Sequence, residues 1–325
     1  VISRVADHCF WLGRYLERTE STARMLFVSA NLSLDTEISA QDVWKPVVIV
    51  SGEEERFAEH FDAAQAGDGE TVQDYLTWNA GCGASLQASI DAARWNARAM
   101  REVISLEVWE TVNELHLWMQ TDAARTLWVE GRYDFYRHIK RQVQLVLGQI
   151  HGTMLHNDAM DFIWLGLLLE RTGQTARTLD VHHHVLTMLE ARHADPAVGM
   201  VLWPSVLRAC SALEPFMKSS GGVVRGPRVA EFLLLEREFP RSVRFCVARA
   251  RGCLSRIRPP AATHLPGGDT LARLHALDTW LQGLSSEGLS RDGFHDILTH
   301  VVDETAHICA GLGHEVLGHG DAAQA

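Results

Sequence analysis

The 325-residue chain carries 41 acidic against 30 basic residues, a formal charge of −11, with 46% hydrophobic and 22% charged residues. The length exceeds a typical single domain, the composition excludes a disordered or coiled-coil chain, and the charge argues against a nucleic-acid partner, which would need a dense basic patch. The longest apolar run, Phe162 to Leu169, falls well short of the ~18 residues that suggest a membrane span, so no membrane partner is expected either.

Apolar residues recur at three- and four-residue spacing through most of the chain, which predicts an all-α, multi-helix bundle. Long helices are expected at about 2–35, 84–120, 133–156 and 159–192. Shorter ones are expected near 53–62, 70–79, 203–217, 227–238, 240–257, 269–284 and 290–316. The stretch Trp44 to Val50 has strand composition but no partner strand, so it reads as an extended or short helical connector tied down by Trp44. Breakers separate the helices at Gly67 to Gly69, Gly81 to Gly83, Ser219 to Gly222 and Pro259 to Gly268. Pro240 suits the first turn of a helix, where its missing N–H costs nothing. No gap is long enough for a clear interdomain linker. Residues 1–315 therefore read as one helical domain and 316–325 as a disordered tail. The densest basic stretch, Arg237 to Arg258, spaces its arginines among Phe239, Val243, Phe245 and Leu254 and reads as the solvated side of an amphipathic helix. Six scattered cysteines, with no C-x-x-C and no segment of signal-peptide character before them, point to reduced thiols in the cytoplasm.

One helix is used twice. Trp11 to Val28 and Trp164 to Val181 share twelve identities over eighteen ungapped positions at an offset of 153, too many for coincidence, so the two are duplicated equivalents. Similarity outside this segment is weak. Trp11, Leu12, Leu16, Ala23 and Leu26, matched by Trp164, Leu165, Leu169, Ala176 and Leu179, form an apolar arc expected to be core. On the opposite side Gly13, Glu17 and Arg24 lie within about 40° of one another, as do Gly166, Glu170 and Arg177. Glu17 and Arg24 stand about 10 Å apart along the axis, too far for a local pair. Arg14 with Glu17, and Glu20 with Arg24, are possible local pairs, but Leu167 and Gly173 replace Arg14 and Glu20 in the second copy. A mid-helix glycine costs ~1 kcal/mol relative to alanine, and close backbone approach would offset it. The expectation is that the two helices cross near a pseudo-twofold axis, with Glu17 near Arg177 and Glu170 near Arg24. The alternative is that these groups face a shared polar cavity.

Other chemistry is sparsely signalled. The run His182-His183-His184, with Asp180 and His193 nearby, lacks H-E-x-x-H or paired E-x-x-H spacing, and consecutive helical residues diverge by ~100°. No metal site is expected there. Asp303, Glu304 and His307 read as an ordinary polar helix face. No glycine-rich phosphate loop or G-x-S-x-G is present, so no cofactor is implied.

Several segments resemble the bacterial Alpha-E domain family, a helical domain with a Glu-Arg motif. They are Ile2 to Asp7 leading into Trp11 to Arg18, Ala92 to Arg101 with Trp109, Glu110 and Asn113, Leu169 to Asp180, and Ala230 to Phe245. The resemblance spans roughly residues 1 to 315. It implies neighbours of the circularly permuted ATP-grasp-like and transglutaminase-like classes, sometimes with a proteasome-like peptidase, but assigns no activity to this chain. Two expectations follow. The first is a non-catalytic partner or substrate-positioning subunit of an ATP-grasp-like peptide ligase. The second is an enzyme in which Glu17 and Glu170 act as an acid–base pair, while Arg18, Arg24, Arg171 and Arg177 hold an anionic substrate.

Overall fold

The computed structural model describes residues 3–35, 38–191, 197–285, 289 and 293–319. Fifteen α-helices succeed one another, with no strand among the described residues: α1 Ser3–Asp35, α2 Ala40–Ser51, α3 Glu54–Ala58, α4 Gly69–Trp78, α5 Leu86–Ala99, α6 Leu106–Met119, α7 Asp122–Glu130, α8 Arg132–Thr153, α9 Asp158–Ala191, α10 Ala197–Ala209, α11 Leu213–Ser219, α12 Gly226–Leu235, α13 Val243–Ile257, α14 Gly268–Gly283 and α15 Phe294–Leu312. The all-α expectation holds. Among the described residues no helix is long and apolar enough to cross a membrane.

Local sequence explains most boundaries. Ser39, Asp68, Ser85, Ser105, Thr121 and Ser242 each accept a backbone N–H from the first turn of the following helix, satisfying a donor that the helix leaves unpaired. Ser105 is why the helix expected over 84–120 is two: its hydroxyl accepts from Val108 N at 3.3 Å and starts α6 afresh after a turn at Met100 to Ile104. Ser211, at φ 52°, likewise divides the helix expected over 203–217. The Trp44 segment is fully helical. Pro46 removes one hydrogen bond inside α2, and burial of Val43, Trp44, Val47, Val48 and Val50 offsets it. Pro240 stands in the turn before Ser242 rather than inside α13. Of the expected tail, Val316 and Leu317 lie in a π-helical turn, Gly313–Leu317, with Leu317 buried, and 320–325 are outside the described residues.

The two long helices form the centre, packed on each other. Around them the same neighbour relations recur. α1 packs on α2, α5 and α8, and α9 packs on α10, α13 and α15. α5 and α8 pack on α6 as α13 and α15 pack on α14. The halves also reach across, with α2 against α9 and α10 against α1. Detail follows the same scheme. Trp44 of α2 lies over Gly69 as Trp203 of α10 lies over Gly226, each ring within 2.8 Å of where a Cβ would stand. Both long helices are consequently buried on nearly all sides. Leu12, Leu16 and Leu26, like Leu165, Leu169 and Leu179, lie in the core, each worth ~1.5–3 kcal/mol of burial.

Candidate functional site

Gly13 and Gly166 mark where α1 and α9 touch. A Cβ on Gly13 would stand 1.9 Å from the Ile163 carbonyl oxygen, and one on Gly166 2.0 Å from that of Phe10. Phe10 and Ile163 are themselves 153 apart, so the contact has the reciprocity of a twofold crossing. No larger residue fits at either position without moving backbone.

One turn beyond, the Glu-Arg dipeptides exchange partners. Glu17 Oε2 accepts from Arg171 Nη2 at 2.6 Å, and Glu170 Oε1 accepts from Arg18 Nε at 2.8 Å. The same arginines reach equivalent carbonyls, Arg18 Nη1 donating to Gly83 O at 3.4 Å and Arg171 Nη1 to Pro240 O at 3.1 Å. The expected crossing is therefore present, but the expected partners are not. Arg24 and Arg177 lie eleven residues past the crossing glycines, about 16 Å along helices that diverge, and each caps the C-terminal end of the other half's second helix. Arg24 Nη1 donates to Ala209 O at 3.2 Å and Arg177 Nε to Val50 O at 3.1 Å. The glutamates, only four residues past the glycines, meet the arginines that directly follow their counterparts.

Unshared residues complete two unequal networks. On one side Arg241 of the α12–α13 turn donates to Glu17 Oε1 at 2.6 Å and also binds Glu20. Glu20 pairs with Arg24 at 2.9 Å and accepts from Gln144 at 2.9 Å. On the other, Arg14 Nε donates to Glu170 Oε2 at 2.8 Å, so Arg14 serves the opposite helix rather than Glu17. Sequence reading missed Arg14, Glu20 and Arg241 as members, because the second copy lacks the first two and Arg241 lay in a stretch read as solvated. Arg241 is instead largely buried.

The carboxylates of both networks are fully engaged. Burial alone would raise the Glu17 carboxyl, but Arg171 and Arg241 hold it below the ordinary carboxylate range. Glu170 is likewise held low against burial by Arg18 and Arg14, and Glu20 by Arg24 and Arg241. A glutamate kept ionised, with both oxygens engaged, neither donates a proton nor accepts one from substrate. The void bordered by Glu17, Arg24, Arg171 and Arg241 measures about 20 Å³, room for a single water. Glu17 borders that void and Glu170 does not, since each sits in its own network with its own arginines.

The histidine run does not converge either. His182 Nδ1 donates to Thr178 O at 2.8 Å, Asp180 pairs with His295 at 2.7 Å, and the His183 ring packs against Phe294. His193 lies outside the described residues. Among the described residues no three His, Cys, Asp or Glu side chains are placed to hold a metal ion. Glu304 pairs with Arg273 at 3.0 Å and with His307 at 3.5 Å.

The open concavity lies on the far side of Arg171. A cleft of about 760 Å³ is bounded by α8, α9 and α13, with Trp164, Leu168 and Phe245 on its walls and Arg171, Arg249 and Arg256 among its polar groups. Trp164, expected in the core, is only partly buried and faces this cleft. No curated protein and no solved structure matches the chain. The sequence model of the Alpha-E family, described as a predicted α-helical domain with a conserved ER motif, matches residues 1–315. Glu17-Arg18 and Glu170-Arg171 are Glu-Arg dipeptides of the kind that description names, and the chain belongs to the Alpha-E family.

Proposed function

We propose that this protein is a non-catalytic partner that positions a peptide substrate for an ATP-grasp-like peptide ligase, in a system that also holds a transglutaminase-like protein. The observation that carries this reading is the closed pairing of Glu17 with Arg171 and Glu170 with Arg18, which commits these residues to architecture and away from the open cleft, whose lining carboxylate Asp161 is held by Arg256. In the same reading residues 1–315 are one domain built by internal duplication of a helical unit. The stripe of Glu17, Arg18, Arg24, Glu170, Arg171 and Arg177 fixes how the two units lock. A cytoplasmic setting suits its thiols: burial pushes Cys9, Cys82 and Cys246 up to about 12, so they are unreactive.

The test is reconstitution with a circularly permuted ATP-grasp-like protein. Co-purification is expected, with ATP-dependent ligation that needs both chains and no turnover by this chain alone. Peptide turnover by the isolated protein, abolished by a folded Glu17→Gln variant, would overturn the reading.

A further inference from the structure

The outward face of α13 differs from that of α5, which holds the equivalent place beside α1. Aligning the helix caps Ser85 and Ser242 sets Ala88, Ala92, Trp95 and Ala99 of α5 against Phe245, Arg249, Gly252 and Arg256 of α13. Two alanines thus give way to arginines, one alanine to Phe245, and a tryptophan to a glycine. A Cβ on Gly252 would come no nearer than 3.7 Å to any other group, the Arg256 guanidinium, so the glycine keeps the cleft open rather than serving a close approach.

The cleft continues along this face. A second concavity of about 460 Å³, which shares Phe245, Ala248 and Arg249 with the first, adds Arg237 and Arg244. Of the acids on these walls, Asp161 is engaged by Arg256 at 3.0 Å, and buried Asp278 lies 2.9 Å from Arg251 with neither oxygen hydrogen-bonded. Arg237, Arg244 and Arg249 have no carboxylate within ion-pair distance among the described residues; Arg249 instead lies 5.6 Å over the Phe245 ring. Burial and the neighbouring Arg237 lower the Arg244 pKa, and Asp278 and Glu236 oppose them without reversing the shift. In a chain of charge −11 this is a groove in which arginines outnumber carboxylates, with an aromatic wall.

We propose that the groove along α13 binds an acidic peptide segment, with Arg237, Arg244 and Arg249 pairing its carboxylates and the Trp164–Phe245 wall receiving an apolar side chain. This deepens the substrate-positioning reading by naming the chemistry of what is positioned. A peptide fits better than a nucleic acid, because the positive strip is short and the remaining surface of the chain repels a long polyanion. Arginine forks suit carboxylates, and the aromatic wall gives an apolar anchor a place to be buried.

The isolated full chain tests this without any ligase, so the outcome is separable from that of reconstitution. Fluorescence anisotropy with labelled acetyl-Glu-Phe-Glu-Leu-Glu should show saturable binding. The glutamine analogue of that peptide, and the protein variants Arg249→Ala and Gly252→Trp, should each weaken binding at least tenfold. Arg249 is exposed and Gly252 borders open space, so both variants should melt as wild type. Equal affinity for the glutamic and glutamine peptides, absence of binding at millimolar peptide, indifference to both substitutions, or tighter binding of a decathymidylate than of the peptide would each overturn the proposal.

Discussion

Three buried carboxylates, Glu17, Glu20 and Glu170, are faced by six guanidinium groups at and beyond the α1–α9 crossing. Removing one partner from such a pair leaves the other charged and dry, at a cost of about 3–5 kcal/mol. Their acidities also set a pH response. Each folded pKa lies below the ordinary value near 4.5, so the stabilisation is fully present above about pH 4.5 and is lost as pH falls toward the folded values. The urea midpoint should therefore be nearly flat from neutrality to about pH 5 and fall steeply below about 4.5. Glu170→Gln should start lower at neutral pH and decline less steeply in acid, and an unchanged acid limb in that variant would contradict the assignment. At this scale the sequence was only partly legible. The repeat marked Glu17 and Glu170 because both copies keep them. Arg241 could not be found that way, because it has no counterpart and its partner is 224 residues distant.

At the scale of elements, the crossing depends on glycine. Gly13→Ala or Gly166→Ala would push a methyl against a backbone carbonyl, not against a side chain that can swing away. Overpacking costs of ~1–3 kcal/mol should be met or exceeded, read as a lowered urea midpoint. Gly148→Ala, where nothing lies within 4 Å, should be neutral or slightly stabilising. Equal effects at Gly13 and Gly148 would remove the crossing from the account. Helical periodicity made most elements legible, including both long helices to within two residues at each end. It failed at Ser105 and Ser211, where a cap and a single left-handed residue interrupt a continuing apolar pattern. Periodicity also assigns a residue to a face without saying what that face meets. The Glu-Arg side, opposite the apolar arc, is the face on which α1 and α9 cross, as expected, but Arg24 and Arg177 lie too far past the crossing to meet Glu170 and Glu17.

For the whole molecule, the seam should be self-complementary, because Gly13, Glu17 and Arg18 meet residues of their own kind in Gly166, Glu170 and Arg171. Residues 1–157 expressed alone, ending in the short connection between α8 and α9, should accordingly associate as a homodimer through α1. Light scattering coupled to size exclusion would show it, and a stable folded monomer of this fragment would argue that the halves do not need the seam.

The central claim is that each Glu-Arg motif is half of a reciprocal lock. A double-mutant cycle on unfolding free energy tests it directly, comparing Glu17→Gln with Arg171→Gln and, as a control, Glu17→Gln with Arg177→Gln. Coupling of about 1 kcal/mol or more is expected for the first pair and additivity within about 0.5 kcal/mol for the second. Additivity of Glu17 with Arg171, or strong coupling of Glu17 to Arg177, would contradict it.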